Sequence, residues 1–265
     1  MGFDMQWIEV NGLTLRYELS GLDNAPLLVL VHELGGTLES WEETLPGLQQ
    51  HFRTLRYDQR GFGRSEKVSG SMVIEDHIAD LAALLDALEI IRPVDIAGSA
   101  LGAGIAAAFS AHHPQRVRRL LAQSLVTRSN PDTREHMISR AHEIERSGMR
   151  PQVDASLARS YPEILRTNRE RFLSYRQRWI TNDPQSFSAI SRMLLDMNTD
   201  ELLSQIKCPT LVLGCEHDLM RPPDTVRALA EKILGSRYQL VQSGHFMHAQ
   251  TPELFVEHAL EFFRN

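Results

Sequence analysis

The chain has 265 residues, 42% hydrophobic and 23% charged, with a formal net charge of -6, a pI near 6.0 and a mean hydropathy of -0.26. That is enough chain for one large domain with a full core, and the composition excludes collagen-like, disordered and disulfide-scaffold classes. The acidic balance excludes a nucleic-acid binder that relies on a basic surface. Cys208 and Cys215 are too few for a disulfide framework and are not spaced as a zinc or redox motif. No run is long and apolar enough to span a membrane. The opening MGFDMQWIEV lacks the basic-then-apolar pattern of a secretory leader, so a cytoplasmic protein is expected.

In chain order, Gln6–Val10 and Leu13–Leu19 alternate apolar and polar residues around Asn11-Gly12, which predicts a β-hairpin. Pro26–Val31 is a continuous apolar run, as a strand buried on both faces should be, and Phe52–Tyr57 is a weaker one. Ile74–Leu88 has helical periodicity. Val94–Ala97 predicts a strand, Ala100–His112 a helix of small residues that can pack close to a sheet, and Arg118–Ser124 the next strand. Strands alternating with helices imply a largely parallel sheet with right-handed crossovers.

From about Val126 to Asn198 only helical segments are predicted. This block holds twelve arginines and no lysine against nine acids, a net +3 that leaves -9 for the rest of the chain. The strand–helix pattern then resumes with Thr210–Cys215, a helix over Asp224–Ile233, Tyr238–Val241 and a closing helix over Pro252–Phe263. The expected organisation is a core of residues 1–125 and 199–265, with residues 126–198 as a helical cap over the carboxyl edge of the sheet.

The chemistry centres on the stretch from Val94 to Gly104, VDIAGSALGAG. A strand, then Gly98-x-x-x-Gly102, then a helix is the frame of a nucleophile elbow. Its central position is Ala100, where a serine belongs. VHELGGT, from Val31 to Thr37, sits where an oxyanion loop belongs, and the N–H groups of Leu34 and Leu101 are the expected donors. YDQRGFGRS, from Tyr57 to Ser65, forms a tight glycine-rich turn. Asp218 and His245 each follow a strand, so the chain order is elbow, acid, base.

On these five motifs the chain resembles the α/β-hydrolase superfamily, from roughly Met5 to Phe263. The resemblance implies a mostly parallel eight-stranded sheet flanked by helices, with an inserted cap. It also implies a Ser-His-Asp mechanism with His245 as base and Asp218 as its partner. The stretch from Ile190 to Pro222 is similar to the small capped hydrolases of the 3-oxoadipate enol-lactonase and ring-opening type, although the same phrases occur in esterases, dehalogenases and C–C bond hydrolases.

Two departures shape the expectation. Alanine at position 100 is either a replacement of serine, of the kind that disables an enzyme and traps its substrate, or the residue of a member that works without a serine nucleophile. Ser99 is one residue off the elbow's apex and is expected to be satisfied by local hydrogen bonding. Glu33 stands where glycine is usual. It is expected to pair with Arg60 or Arg64; the alternative is a carboxylate facing substrate or water. His32 is read as structural, His217 as solvent-facing and His248 as a candidate for the pocket wall. Phe172, Tyr175, Trp179, Phe187, Met193 and Met197 either line the substrate wall or form cap core.

The arginines suit an anionic substrate or a solvated helical face, with Arg166–Glu170 as one i,i+4 pair. No metal-ligand spacing and no phosphate loop is read, so no cofactor is expected. The leading reading is a hydrolase of a small ester, lactone or amide that carries a carboxylate. The alternatives are a C–C bond hydrolase of a ring-opened diketone, and a lyase, decarboxylase or binding protein with native alanine. The expected partner is a small molecule rather than nucleic acid or membrane, and monomer and homodimer both remain open.

Overall fold

The computed structural model describes residues 6–264; Met1–Met5, on which the leader reading and the start of the resemblance fall, and Asn265 lie outside them. Eight strands form one sheet: β1 (Gln6–Val10), β2 (Leu13–Gly21), β3 (Leu27–Val31), β4 (Arg53–Tyr57), β5 (Val94–Ser99), β6 (Val117–Gln123), β7 (Thr210–Cys215) and β8 (Arg237–Val241). Ten α-helical elements accompany them. They are α1 (Leu45–Leu48), α2 (Ile74–Ala87), α3 (Leu101–His112), α4 (Arg134–Ser147), α5 (Val153–Ser160), α6 (Arg169–Ile180), α7 (Pro184–Asp196), α8 (Pro223–Ala230), α9 (Met247–Gln250) and α10 (Pro252–Arg264).

The sheet order is β1-β2-β4-β3-β5-β6-β7-β8. Pairing is antiparallel for β1–β2 and β2–β4 and parallel from β4 through β3 to β8. In the β1–β2 hairpin, Asn11 and Gly12 both take positive φ, 50° and 76°, as the tight right-twisted turn requires. Chain order reverses around β3, so the loops after β3 and β5 diverge and leave a crevice between them.

The apolar run of β3 divides between two cores. Val29 and Val31 join the cluster built with α2, α3 and α8, while Leu28 and Leu30 join the one built with Trp41 and α10. Alternation across a strand covered on both faces explains why β3 reads as uninterrupted apolar sequence. Alanines let α3 pack flat against the sheet, and all but its last residue, His112, are buried.

Between β6 and β7 the chain forms α4–α7 and short 3-10 turns. The insert is closed at its neck by an Arg128–Asn198 bridge and by the Thr199 N–H donating to the Thr127 carbonyl, 2.9 Å. The arginines of this insert are exposed or half-buried. The expected Arg166–Glu170 pair does not form: Arg166 instead donates to the carbonyls of Tyr161 and Leu157 and lies over the Phe172 ring. Capping the carbonyls at the end of α5 outweighs a solvent-screened i,i+4 pair here. Among the described residues no helix is long and apolar enough to cross a membrane.

Candidate active site

Ala100 joins β5 to α3 with φ 50° and ψ -112°. That conformation costs an L-residue on the order of 1–3 kcal/mol. The flanking glycines make it possible: a Cβ on Gly102 would collide with the carbonyls of Val31 and His32, and one on Gly98 with the backbone of Gly102. The turn therefore presses the start of α3 against the end of β3. Ser99, buried at the end of β5, donates to Gln123 Oε1 at 2.6 Å, so it points away from the apex and is fully engaged.

The loop after β3 is built around His32. Gln59 N–H donates to His32 Nε2 at 3.0 Å, so the ring proton lies on Nδ1 and is given to the Glu33 carbonyl at 2.7 Å. Burial lowers the pKa of His32, in keeping with this neutral ring. Gly36 N–H returns to the Glu33 carbonyl at 3.0 Å and closes a tight turn over residues 33–36. Ala100 N–H is taken by the Gln123 carbonyl, 2.9 Å. The N–H groups of Leu34 and Leu101 have no acceptor among the described residues. Leu34 is half-buried and Leu101 buried, and unpaired N–H groups in such positions are what an incoming oxyanion would satisfy.

Asp218 and His245 meet at the carboxyl ends of β7 and β8. His245 Nδ1 lies 2.8 Å from Asp218 Oδ2, and the same oxygen accepts from Ser124 Oγ at 2.7 Å. Asp218 Oδ1 accepts from the backbone of Met220 and Arg221, 2.9 and 2.8 Å. Burial pushes the Asp218 carboxyl up, but His245, Ser124 and the backbone donors outweigh it and hold the group below its ordinary value. With Nδ1 turned to the carboxylate, His245 Nε2 has no described partner, and the residue is 7% exposed.

Gln123 and Ser124 carry no mark in the sequence motifs, yet they tie the site together. Gln123 accepts from Ser99, donates to the His245 carbonyl at 3.1 Å and donates to Ser124 Oγ. Their signal was two polar residues ending an apolar strand, LLAQSLV, and it reads as a strand terminus unless the third dimension is known.

Glu33 corrects the expectation. Arg60 engages Asp80 at 2.6 Å and Asp76 at 3.8 Å, and Glu33 is held by other groups. Its Oε2 lies 3.0 Å from His248 Nε2, and its Oε1 accepts from Tyr175 and Ser40, each at 3.1 Å. Burial raises its pKa, but the charge and hydrogen bond of His248 outweigh that and bring it to about 2. His248, on α9, is fully buried and stacks on Trp41 with centroids 4.3 Å apart, so it belongs to this internal pair rather than to a pocket wall. His217 is half-buried, and its backbone N–H donates to the Ser243 carbonyl at 2.8 Å.

The aromatic candidates separate. Tyr175 stacks on Phe246, the neighbour of His245, at 5.1 Å, and so stands beside the dyad. Trp179 packs against Phe187 at 5.4 Å, and Phe172 packs against Tyr161 at 5.2 Å on the insert's own side. Met193 and Met197 are buried in the same apolar cluster. Among the described residues no group of three His, Cys, Asp or Glu stands together as a metal site.

Known proteins resemble this chain in sequence and fold over most of its length. Residues 26–149 match the family model described as the alpha/beta hydrolase fold. A Yersinia enterocolitica protein provisionally named carbamate hydrolase RutD is 31% identical over 91% of this chain and 89% of its own. The crystal structure of the enol-lactonase from Burkholderia xenovorans LB400 superposes with a TM-score of 0.93 at 29% identity, over 98% of this chain and all of that one. A hydrolase from Pseudomonas aeruginosa PA01 gives 0.92 at 26% identity, over 99% of each chain. The chain belongs to the α/β-hydrolase family.

Proposed function

We propose that this site is built to hydrolyse a small ester, lactone or amide through an acyl intermediate on residue 100, and that alanine there leaves this chain able to bind such a substrate but not to form that intermediate. The observation that carries this reading is the backbone of Ala100. A strained φ of 50° has no use for a methyl group, but it aims a side chain from the apex of the elbow toward the crevice. Two unpaired N–H groups and a histidine with a free Nε2 support the same reading.

With serine at 100, the hydroxyl oxygen would attack the carbonyl carbon while His245 Nε2 takes the proton. The N–H groups of Leu34 and Leu101 would hold the oxyanion. His245 would pass the proton to the leaving oxygen or nitrogen as the acyl bond breaks. A water, deprotonated by His245, would then release the acid and restore the serine. Asp218 fixes the tautomer and supports the imidazolium at each stage. The names of the relatives, a carbamate hydrolase and an enol-lactonase, support the ester, lactone and amide class. The helical insert would serve as the cap, with a substrate carboxylate met by one of its arginines.

A second reading rests on Ala100 itself. With native alanine the intact Asp218–His245 pair would act as a base on a bound substrate, in lyase or decarboxylase chemistry. The test is Ala100→Ser, assayed beside the unchanged chain with activated esters and a serine-directed phosphonate. Turnover and labelling gained only by the serine form, by at least 10³-fold, are expected. No gain in either assay would overturn the hydrolase reading in favour of the second.

A further inference from the structure

Ala100 is 3% exposed, His245 7% and Asp218 2%, so the site is nearly shut off from solvent with the insert seated. That same insert grips the oxyanion loop on both sides of Leu34. From α6, Tyr175 donates its hydroxyl to the Glu33 carboxylate, 3.1 Å. Just past the end of α6, Asn182 Nδ2 donates to the Gly35 carbonyl at 2.9 Å. From α7, the Phe187 ring lies so close to Gly35 that a Cβ there would come within 2.9 Å of it. Gly35 itself holds φ 78°. Residues 33 and 35 are thus fixed from the insert, and the free N–H of Leu34 lies between them.

We propose that Tyr175 and Asn182 are positioning residues: the seated insert clamps the turn of residues 33–36 and aims the Leu34 N–H, so the oxyanion hole is complete only when the site is closed. This rests on the acyl-transfer reading for the use of the hole, but the clamp itself is a property of the chain as it stands. Both bonds cross from the insert to the loop, so an opening that carries α6 away must break them. Glu33 stays anchored to Ser40 and His248 from the core side, while the Gly35 carbonyl loses its Asn182 donor. Closure would then couple substrate enclosure to alignment of the donor, as in other sites completed by a closing element.

Hydrogen exchange read by mass spectrometry on the unchanged chain, Tyr175→Phe and Asn182→Ala tests this. The amide of Gly36, bonded inside the turn, reports the loop. It should exchange at least tenfold faster in each variant, while amides of β3 and β5 keep their rates. A purely structural role would speed exchange in α6 and α7 and leave the turn untouched. In the Ala100→Ser background the same substitutions should lower kcat about tenfold with KM within about threefold. Unchanged exchange at Gly36 in both variants, or an unchanged kcat in an active serine form, overturns the proposal. If the serine form is inactive, the acyl-transfer reading fails while the exchange result still decides the clamp.

Discussion

Among the described residues the protein holds two carboxylate–histidine pairs of similar length in two different settings. Asp218–His245 spans 2.8 Å at the carboxyl ends of β7 and β8, and Glu33–His248 spans 3.0 Å beneath the oxyanion loop. In the first, the carboxylate has three further donors and the histidine keeps Nε2 free. In the second, both side chains are fully buried, Trp41 covers the ring, and the second ring nitrogen, Nδ1, is buried without a partner. The chemistry of the two pairs is alike, so what separates the proposed base from an internal strut is where the second nitrogen points. A base needs a reachable proton acceptor, whereas a sealed imidazole can only hold its carboxylate.

The comparison is broken most directly by deleting each histidine in turn in the Ala100→Ser background. His245→Ala should remove at least 10³-fold of the restored kcat, and its cost in stability should stay below about 2 kcal/mol because Asp218 keeps three donors. His248→Ala should do the reverse. It leaves Glu33 buried with two neutral donors, a loss of about 3–5 kcal/mol, or roughly 6–15 °C in Tm. Its kcat, measured well below that Tm, should fall far less than that of His245→Ala. Thermal melts and ester kinetics on the two variants check both halves, and equal losses of activity would erase the distinction.

Acid sharpens the same contrast. Glu33 titrates at about 2 in the folded chain against an ordinary 4.5, so its stabilisation is complete above about pH 4.5 and is lost as pH falls toward 2. The full effect is of the order of 3 kcal/mol. Asp218, also held below its ordinary value, acts in the same direction. Urea midpoints taken from pH 6 to pH 3 should fall for the unchanged chain. Glu33→Gln should be less stable at pH 6 but flatter over that range. A parallel curve would mean that Glu33 is not the group being protonated.

The contrast also shows what the sequence could carry. The strands, the tight turn at residue 100 and the positions of Asp218 and His245 past strand ends were legible because each follows from local pattern: apolar runs, Gly98 and Gly102 four apart, and a polar residue just past a strand. Glu33 was legible as an anomaly, but its partner was not. His248 lies 215 residues away, and nearby Arg60 was the better guess from charge alone. Arg60 instead follows Asp80, on α2, which the tight turn after β4 brings within 2.6 Å. Gln123, Ser124 and Asn182 were invisible for a related reason, since side-chain amides and hydroxyls gain a role only from groups that tertiary packing sets beside them.

Ser124 offers a smaller test on the Asp218–His245 side of the comparison. Ser124→Ala removes one of the four donors to Asp218 and leaves the others in place. A loss of about 1.5 kcal/mol is expected, with the Asp218 carboxyl less depressed. In the Ala100→Ser background kcat for ester hydrolysis should fall far less than in His245→Ala, because His245 Nδ1 keeps its bond to Asp218 Oδ2. Thermal melts give the first number and ester kinetics the second, and a rate loss as large as that of His245→Ala would mean that Ser124 does more than support Asp218.

The smallest expected effect bears on residue 100 itself. Ala100→Gly should raise stability by about 1 kcal/mol, because glycine takes φ 50° without the Cβ penalty, partly offset by the greater freedom glycine has in the unfolded chain. A shift of that size is a few degrees in Tm. The same change at Ala103 or Ala106, inside α3 and buried, should lower stability by about 1 kcal/mol or more through lost helix propensity and packing. Opposite signs at positions so close in sequence would show that the elbow is held strained by its surroundings. A scaffold that keeps that strain under an alanine is one whose geometry still serves the apex position, and a stability loss at Ala100→Gly would remove the main support for reading residue 100 as the place of a nucleophile.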